Sequence, residues 1–140
     1  MLRRSLLTAG IVTVLASAIP VRSARPQPGA TPASLKEVKD AIIAATRYDP
    51  GAVELGVTKL QIVVTVVNSG LLNKRAIERE VEAGRITRTI ARTISGKSEF
   101  QGIQAIHIDY VKLSADGRRR VVDGIDFRKD PQGNFQHHMT

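Results

Sequence analysis

One stretch limits the fold more than any other. Residues 57–68 read VTKLQIVVTVVN, and β-branched residues dominate them. Such side chains fit a pleated surface better than a helix, so the stretch is expected to be a strand. Leu60, Ile62, Val64 and Val66 alternate onto one face. Gln61, Val63, Thr65 and Val67 form the other, which is also largely apolar. A strand apolar on both sides calls for cover on both. Val53, Leu55 and Val57 alternate as well, so the strand could begin early, with Gly56 as a bulge or a turn.

After Asn68-Ser69-Gly70, residues 73–95 carry a helical period. Asn73 is the expected N-cap. Ala76, Ile77, Ala83, Gly84, Ile90, Ala91 and Ile94 gather on one side at about 100° per residue. Lys74, Arg75, Glu78, Glu82, Arg85 and Arg92 gather opposite, and Val81 and Ile86 fall outside the stripe. Acids lead and arginines follow, which suits the helix dipole.

An earlier helix is expected to open with Ser34 as N-cap and Glu37 at the third position. Leu35, Val38, Ile42 and Ala45 form its stripe, and Asp49-Pro50-Gly51 ends it. Later strands are expected at 103–113 and 120–129, joined by a turn at Ala115-Asp116-Gly117. Ile106, Ile108 and Tyr110 share a face of the first, and Val121, Ile125 and Phe127 alternate inward on the second. The fold class is α+β, two helices on one face of a three-stranded sheet, in the order helix, strand, helix, strand, strand.

The opening helix, the Asp-Pro turn and the apolar strand resemble small periplasmic α+β modules such as the BON domain, over residues 35–70. Those modules place two strands before the next helix, where the sequence here reads as one.

The beginning of the chain points to export. Arg3 and Arg4 precede an apolar core at residues 6–15, and Ala16-Ser17-Ala18 offers small residues for cleavage. Residues 1–24 are therefore expected to be a signal peptide. The Arg-Arg pair fits an ordinary basic start, and a twin-arginine signal also. Pro20 and Arg22 interrupt the run well short of the roughly 20 apolar residues a membrane span needs. Residues 25–33 are a Pro-rich linker, 34–130 a small domain and 131–140 a flexible tail. The protein is expected to be periplasmic or secreted, with no transmembrane span in the mature chain.

The formal charge is +8, and Arg3, Arg4 and Arg22 supply three of those charges. What remains is still basic, which favours attraction to anionic surfaces. Arg118-Arg119-Arg120, beside the expected hairpin turn, are the candidate anion contacts, since guanidinium groups suit phosphate and carboxylate. There is no cysteine, so disulfides, thiolate metal sites and cysteine nucleophiles are excluded. Glycine-rich phosphate loops and the common hydrolase motifs are absent. His107 and Asp109 point the same way from one strand and could form an acid–base pair. A polar, solvent-facing row explains them more simply. His137-His138 reads as part of the tail.

The leading expectation is thus an exported, non-enzymatic interaction domain without a cofactor. The alternative is a basic domain that binds anionic envelope components: lipid headgroup, polysaccharide or nucleic acid. A hydrolase using His107 and Asp109 ranks third. Val63, Thr65 and Val67 mark the expected interaction face, with a homodimer or a protein partner added through the first strand. Three arrangements would relieve that strand's bare edge: an inserted third strand, residues 53–55 folding back as a further strand, or dimerisation.

Overall fold

A computed structural model describes residues 29–139. The signal-peptide reading of residues 1–24 lies outside them. The elements run α1 (Pro32–Thr46), β1 (Val53–Val57), β2 (Gln61–Val67), α2 (Ala76–Ile94), β3 (Ala105–Leu113), β4 (Arg119–Lys129) and β5 (Phe135–His138). The class is α+β as expected, but the sheet has five strands, not three, in the order β1-β2-β3-β4-β5. All neighbours are antiparallel except β2 and β3, which are parallel and joined through α2.

Both additional strands come from turns that the apolar pattern conceals. The run at 57–68 breaks at Thr58, whose N–H donates to the Gln61 carbonyl (2.9 Å) and whose hydroxyl accepts from the Gln61 N–H (3.1 Å). The chain folds back there, and Val53–Val57 pairs along β2. Two strands therefore precede α2. Leu60, expected on the core face, lies in the turn and is exposed. Of the three arrangements for β2's bare edge, the fold-back occurs. The second extra strand lies in the stretch expected to be a flexible tail. Gly133 takes a positive φ of 85°, and Asp130 accepts from the N–H groups of Gln132 and Asn134. That turn sends residues 135–138 back along β4.

Helix starts also differ from expectation. Pro32 has a preset φ and no N–H to satisfy, so α1 begins there. Thr31 is the cap and exchanges hydrogen bonds with Ser34. Helix α2 is capped at Arg75 rather than Asn73, and Glu78 accepts the Arg75 N–H (3.0 Å). Its buried stripe is Arg79, Ala83, Ile86, Thr87, Ile90 and Ile94. Ile86 is inside, whereas Ile77, placed in the stripe by periodicity, is exposed. Two polar residues within the stripe displaced its apparent phase.

Both helices cover one face of the sheet. Val38 and Ile42 of α1, with Ala83, Ile86 and Ile90 of α2, pack on Ile62, Val64, Val66, Ile106, Ile108 and Tyr110, and all are fully buried. Arg79 is drawn into this layer by Asp123 (2.9 Å) and by the carbonyls of Leu71 and Lys74. Glu82, expected on the solvent side of α2, accepts the hydroxyls of Tyr48 (2.6 Å) and Tyr110 (3.0 Å). Burial first, then Glu82, pushes both phenols well above their ordinary pKa. A bulge at Val122 shifts the β3–β4 register. A one-residue slip reverses side-chain direction, so Val121, expected inward, joins the open face and is 57% exposed. No helix among the described residues is long and apolar enough to cross a membrane.

Candidate functional site

The open face, opposite the helices, holds most of the residues singled out in the sequence. His107 and Asp109 lie on it side by side on β3. The antiparallel register then adds Asp126 of β4, directly across from His107. His107 Nδ1 is 2.6 Å from Asp126 Oδ1, and Nε2 is 2.8 Å from Asp109 Oδ1. Gly124 makes room for this. A Cβ there would sit 3.1 Å from Asp109 Oδ1 and 3.3 Å from His107 Cε1. Burial alone would draw the imidazole's pKa down, but Asp126 and Asp109 outweigh it and hold it above the ordinary value.

This arrangement is closed. Each ring nitrogen already faces a carboxylate, so neither is directed at a substrate. Among the described residues no serine, threonine or lysine is bonded to the ring. Among the described residues no group of three His, Cys, Asp or Glu is placed to hold a metal ion.

Two of the three hairpin arginines are engaged. Arg118 meets Asp116 (3.1 Å), and Arg119 makes a two-pronged pair with Glu54 (2.7 Å each), whereas Arg120 is exposed and has no carboxylate partner among the described residues. Glu54 is on β1 and Arg119 on β4, two strands lie between them, and they are several residues out of register. At about 4.8 Å per strand and 3.3 Å per residue, a flat sheet would hold them too far apart to touch. The end of the β3–β4 hairpin therefore curls over the open face. That explains why Val67 and Val111 are buried on the side without helices. Val63 and Thr65 remain half-buried there. The edge argument for dimerisation through this strand falls, because β1 covers the edge.

The sequence reading missed a different site. Packed helices sit about 10 Å apart and strands about 4.8 Å, so two helices roof about four strands. The fifth, β5, extends beyond α2 and leaves a groove. A cleft of about 580 Å³ lies between Gly84, Thr87, Arg88, Ala91 and Arg92 of α2 and Phe127, Phe135 and His137 of the sheet. A second opening of about 220 Å³ shares Ala91, Gly133 and Phe135 and continues toward Lys97 and Lys129. Phe127 and the His137 ring stack at 5.5 Å, and Lys129 Nζ stands 5.8 Å from the Phe135 ring centre.

Two properties bear on what the groove would hold. Among the described residues no Asp or Glu lines either part. Lys97 is tied to Glu37, but Arg88, Arg92 and Lys129 have no carboxylate partner among the described residues. Thr87 is 2% exposed, and its hydroxyl oxygen, closed off from solvent, has no hydrogen-bond partner among the described residues. A buried hydroxyl left unbonded costs about 1–3 kcal/mol. The sequence held one clue, a threonine at a core position of α2, but nothing marked β5 as the opposite wall. His137 and His138, adjacent on a strand, point to opposite faces and cannot share one ion.

Comparison with family models, with curated proteins and with solved structures finds no match to the chain.

Proposed function

We propose that this chain is an exported, non-enzymatic binding domain whose ligand occupies the groove between α2 and β5. The observation that carries this is the cleft's lining. An opening of about 580 Å³ with no acid among its described lining residues, rimmed by Arg88 and Arg92 without carboxylate partners, suits an anionic ligand. The closed His107 cluster on the opposite face supports the non-enzymatic reading. The ligand is anionic in part, as the alternative expectation had it, but the groove and not the hairpin arginines receives it.

A small apolar anion tests the groove directly. Anilinonaphthalene sulfonate should fluoresce on binding the parent protein, and Ala91→Trp, which fills the groove, should abolish the signal at unchanged melting temperature. An equal signal from both proteins would overturn the site. Export rests on residues 1–24, and the mature protein should begin between Ile19 and Pro26. An intact Met1 in protein released from the periplasm would overturn it.

A further inference from the structure

We infer that the groove takes an extended, acidic peptide segment, which adds to β5 as a sixth strand beneath the flank of α2. This rests on the groove reading above and names its occupant.

The backbone of β5 supplies the first argument. The Asp130 N–H donates to the Asn134 carbonyl (2.8 Å), which fixes the alternation of the hairpin. Gln136 and His138 then bond β4, and Phe135 and His137 turn their N–H and C=O groups outward. No other backbone group among the described residues meets them. An exposed edge of this kind is a template for an incoming strand. β5 carries no proline and no acidic side chain to deter one.

Side chains supply the second. Phe135 and His137 face the helix side, so a strand added beside them would place alternate residues in the groove. There they would meet Arg88 and Arg92, one turn apart on α2, and Lys129. Acidic residues at every second position match this spacing and sign. An acyl chain matches less well. It would find only Ala91, Phe127 and Phe135 as apolar walls in the larger cleft and would leave the outward backbone groups unpaired.

The test uses a fluorescein-labelled ten-residue peptide of alternating Glu and Val. Three comparators accompany it: a Lys/Val peptide, a Glu/Val peptide N-methylated at alternate residues, and phosphatidylglycerol vesicles. The Glu/Val peptide should bind the purified protein and slow amide exchange at Phe135 and His137. Its affinity should fall about tenfold or more in the exposed double variant Arg88→Glu/Arg92→Glu, with unchanged melting temperature. The Lys/Val and N-methylated peptides should bind at least about tenfold more weakly. Equal binding of all three peptides, unaltered exchange in β5, or vesicle binding in place of peptide binding would overturn the inference. If the sulfonate probe still occupies the groove and Ala91→Trp still blocks it, the peptide inference falls and the groove reading stands. If no probe is held, both fall.

Discussion

On the open face, His107 has a carboxylate at each ring nitrogen; beneath α2, the Thr87 hydroxyl has no partner. The first cluster has the residue types of catalysis, but both of its ring nitrogens are already engaged. The second site has an ordinary threonine, two exposed arginines and a free strand edge, and its groups are left wanting. The contrast shows that residue type is a poorer guide to a site than satisfaction. A histidine between two aspartates stabilises the molecule that holds it, whereas a buried unbonded hydroxyl costs stability.

If that contrast holds, damage to satisfied groups should cost stability, and damage to the groove should cost binding alone. The largest effect is expected at Asp123. Asp123→Ala leaves Arg79 charged and buried without its carboxylate, and should lower stability by about 3 kcal/mol in urea unfolding. A loss below about 1 kcal/mol would mean that the Leu71 and Lys74 carbonyls suffice.

His107→Gln should cost less, about 1–2 kcal/mol, because Asp109 and Asp126 lose the cation between them. It should also remove a pH dependence. The folded-state pKa of His107 lies above its ordinary 6.5, so its stabilisation is complete below that value. It is lost as pH rises through the raised folded-state pKa. Parent protein should therefore lose stability across that interval, and His107→Gln should show no such slope. Parallel pH profiles for the two would break the assignment.

Gly124→Ala should cost about 0.5–1 kcal/mol, since the His107 ring and Asp109 need yield only a few tenths of an ångström. Loss of the raised histidine pKa, read by NMR titration, would mark the displacement. The opposite sign is expected in the groove. Thr87→Val removes a buried unbonded hydroxyl and should leave stability unchanged or raise it by up to about 1 kcal/mol. The smallest effect belongs to the hairpin. Serine at Arg118, Arg119 and Arg120 should leave the urea-unfolding midpoint almost unchanged, because the Arg118 and Arg119 pairs are exposed and Arg120 has no carboxylate partner among the described residues. Elution from heparin should shift far less than for Arg88→Glu/Arg92→Glu.

Much of the fold could be read in the chain because burial writes a clear period. Ile62, Val64 and Val66, then Ile106, Ile108 and Tyr110, alternate as expected and are buried as expected. What escaped was decided by hydrogen bonds rather than hydropathy. Thr58 turns the chain within an unbroken apolar pattern, and Asp130 with Gly133 turns a polar segment into β5. Gly124 and Asp126 fall outside the apolar alternation of Val121, Ile125 and Phe127, yet they are what lets His107 close between two carboxylates. Asp126 joined the pair only through register, which spacing along one strand does not reveal. The groove was invisible for a related reason: it arises from the ratio of helix width to strand width, a property of the assembled layers.

The parallel pairing of β2 with β3 has a consequence for the time course of folding. β1 with β2, and β3 with β4 and β5, are hairpins whose ends meet through short loops, and such contacts form early. Val64 reaches Ile108 only after about forty intervening residues, α2 included, have been drawn together. The two hairpin units are expected to form first and to wait on that closure. A core substitution at the β2–β3 seam, such as Ile108→Val, should slow folding if the seam is already joined at the barrier, and should speed unfolding with folding almost unchanged if the seam closes after it. The chevron of that variant would show whether this molecule assembles from two preformed halves or condenses around its one parallel contact.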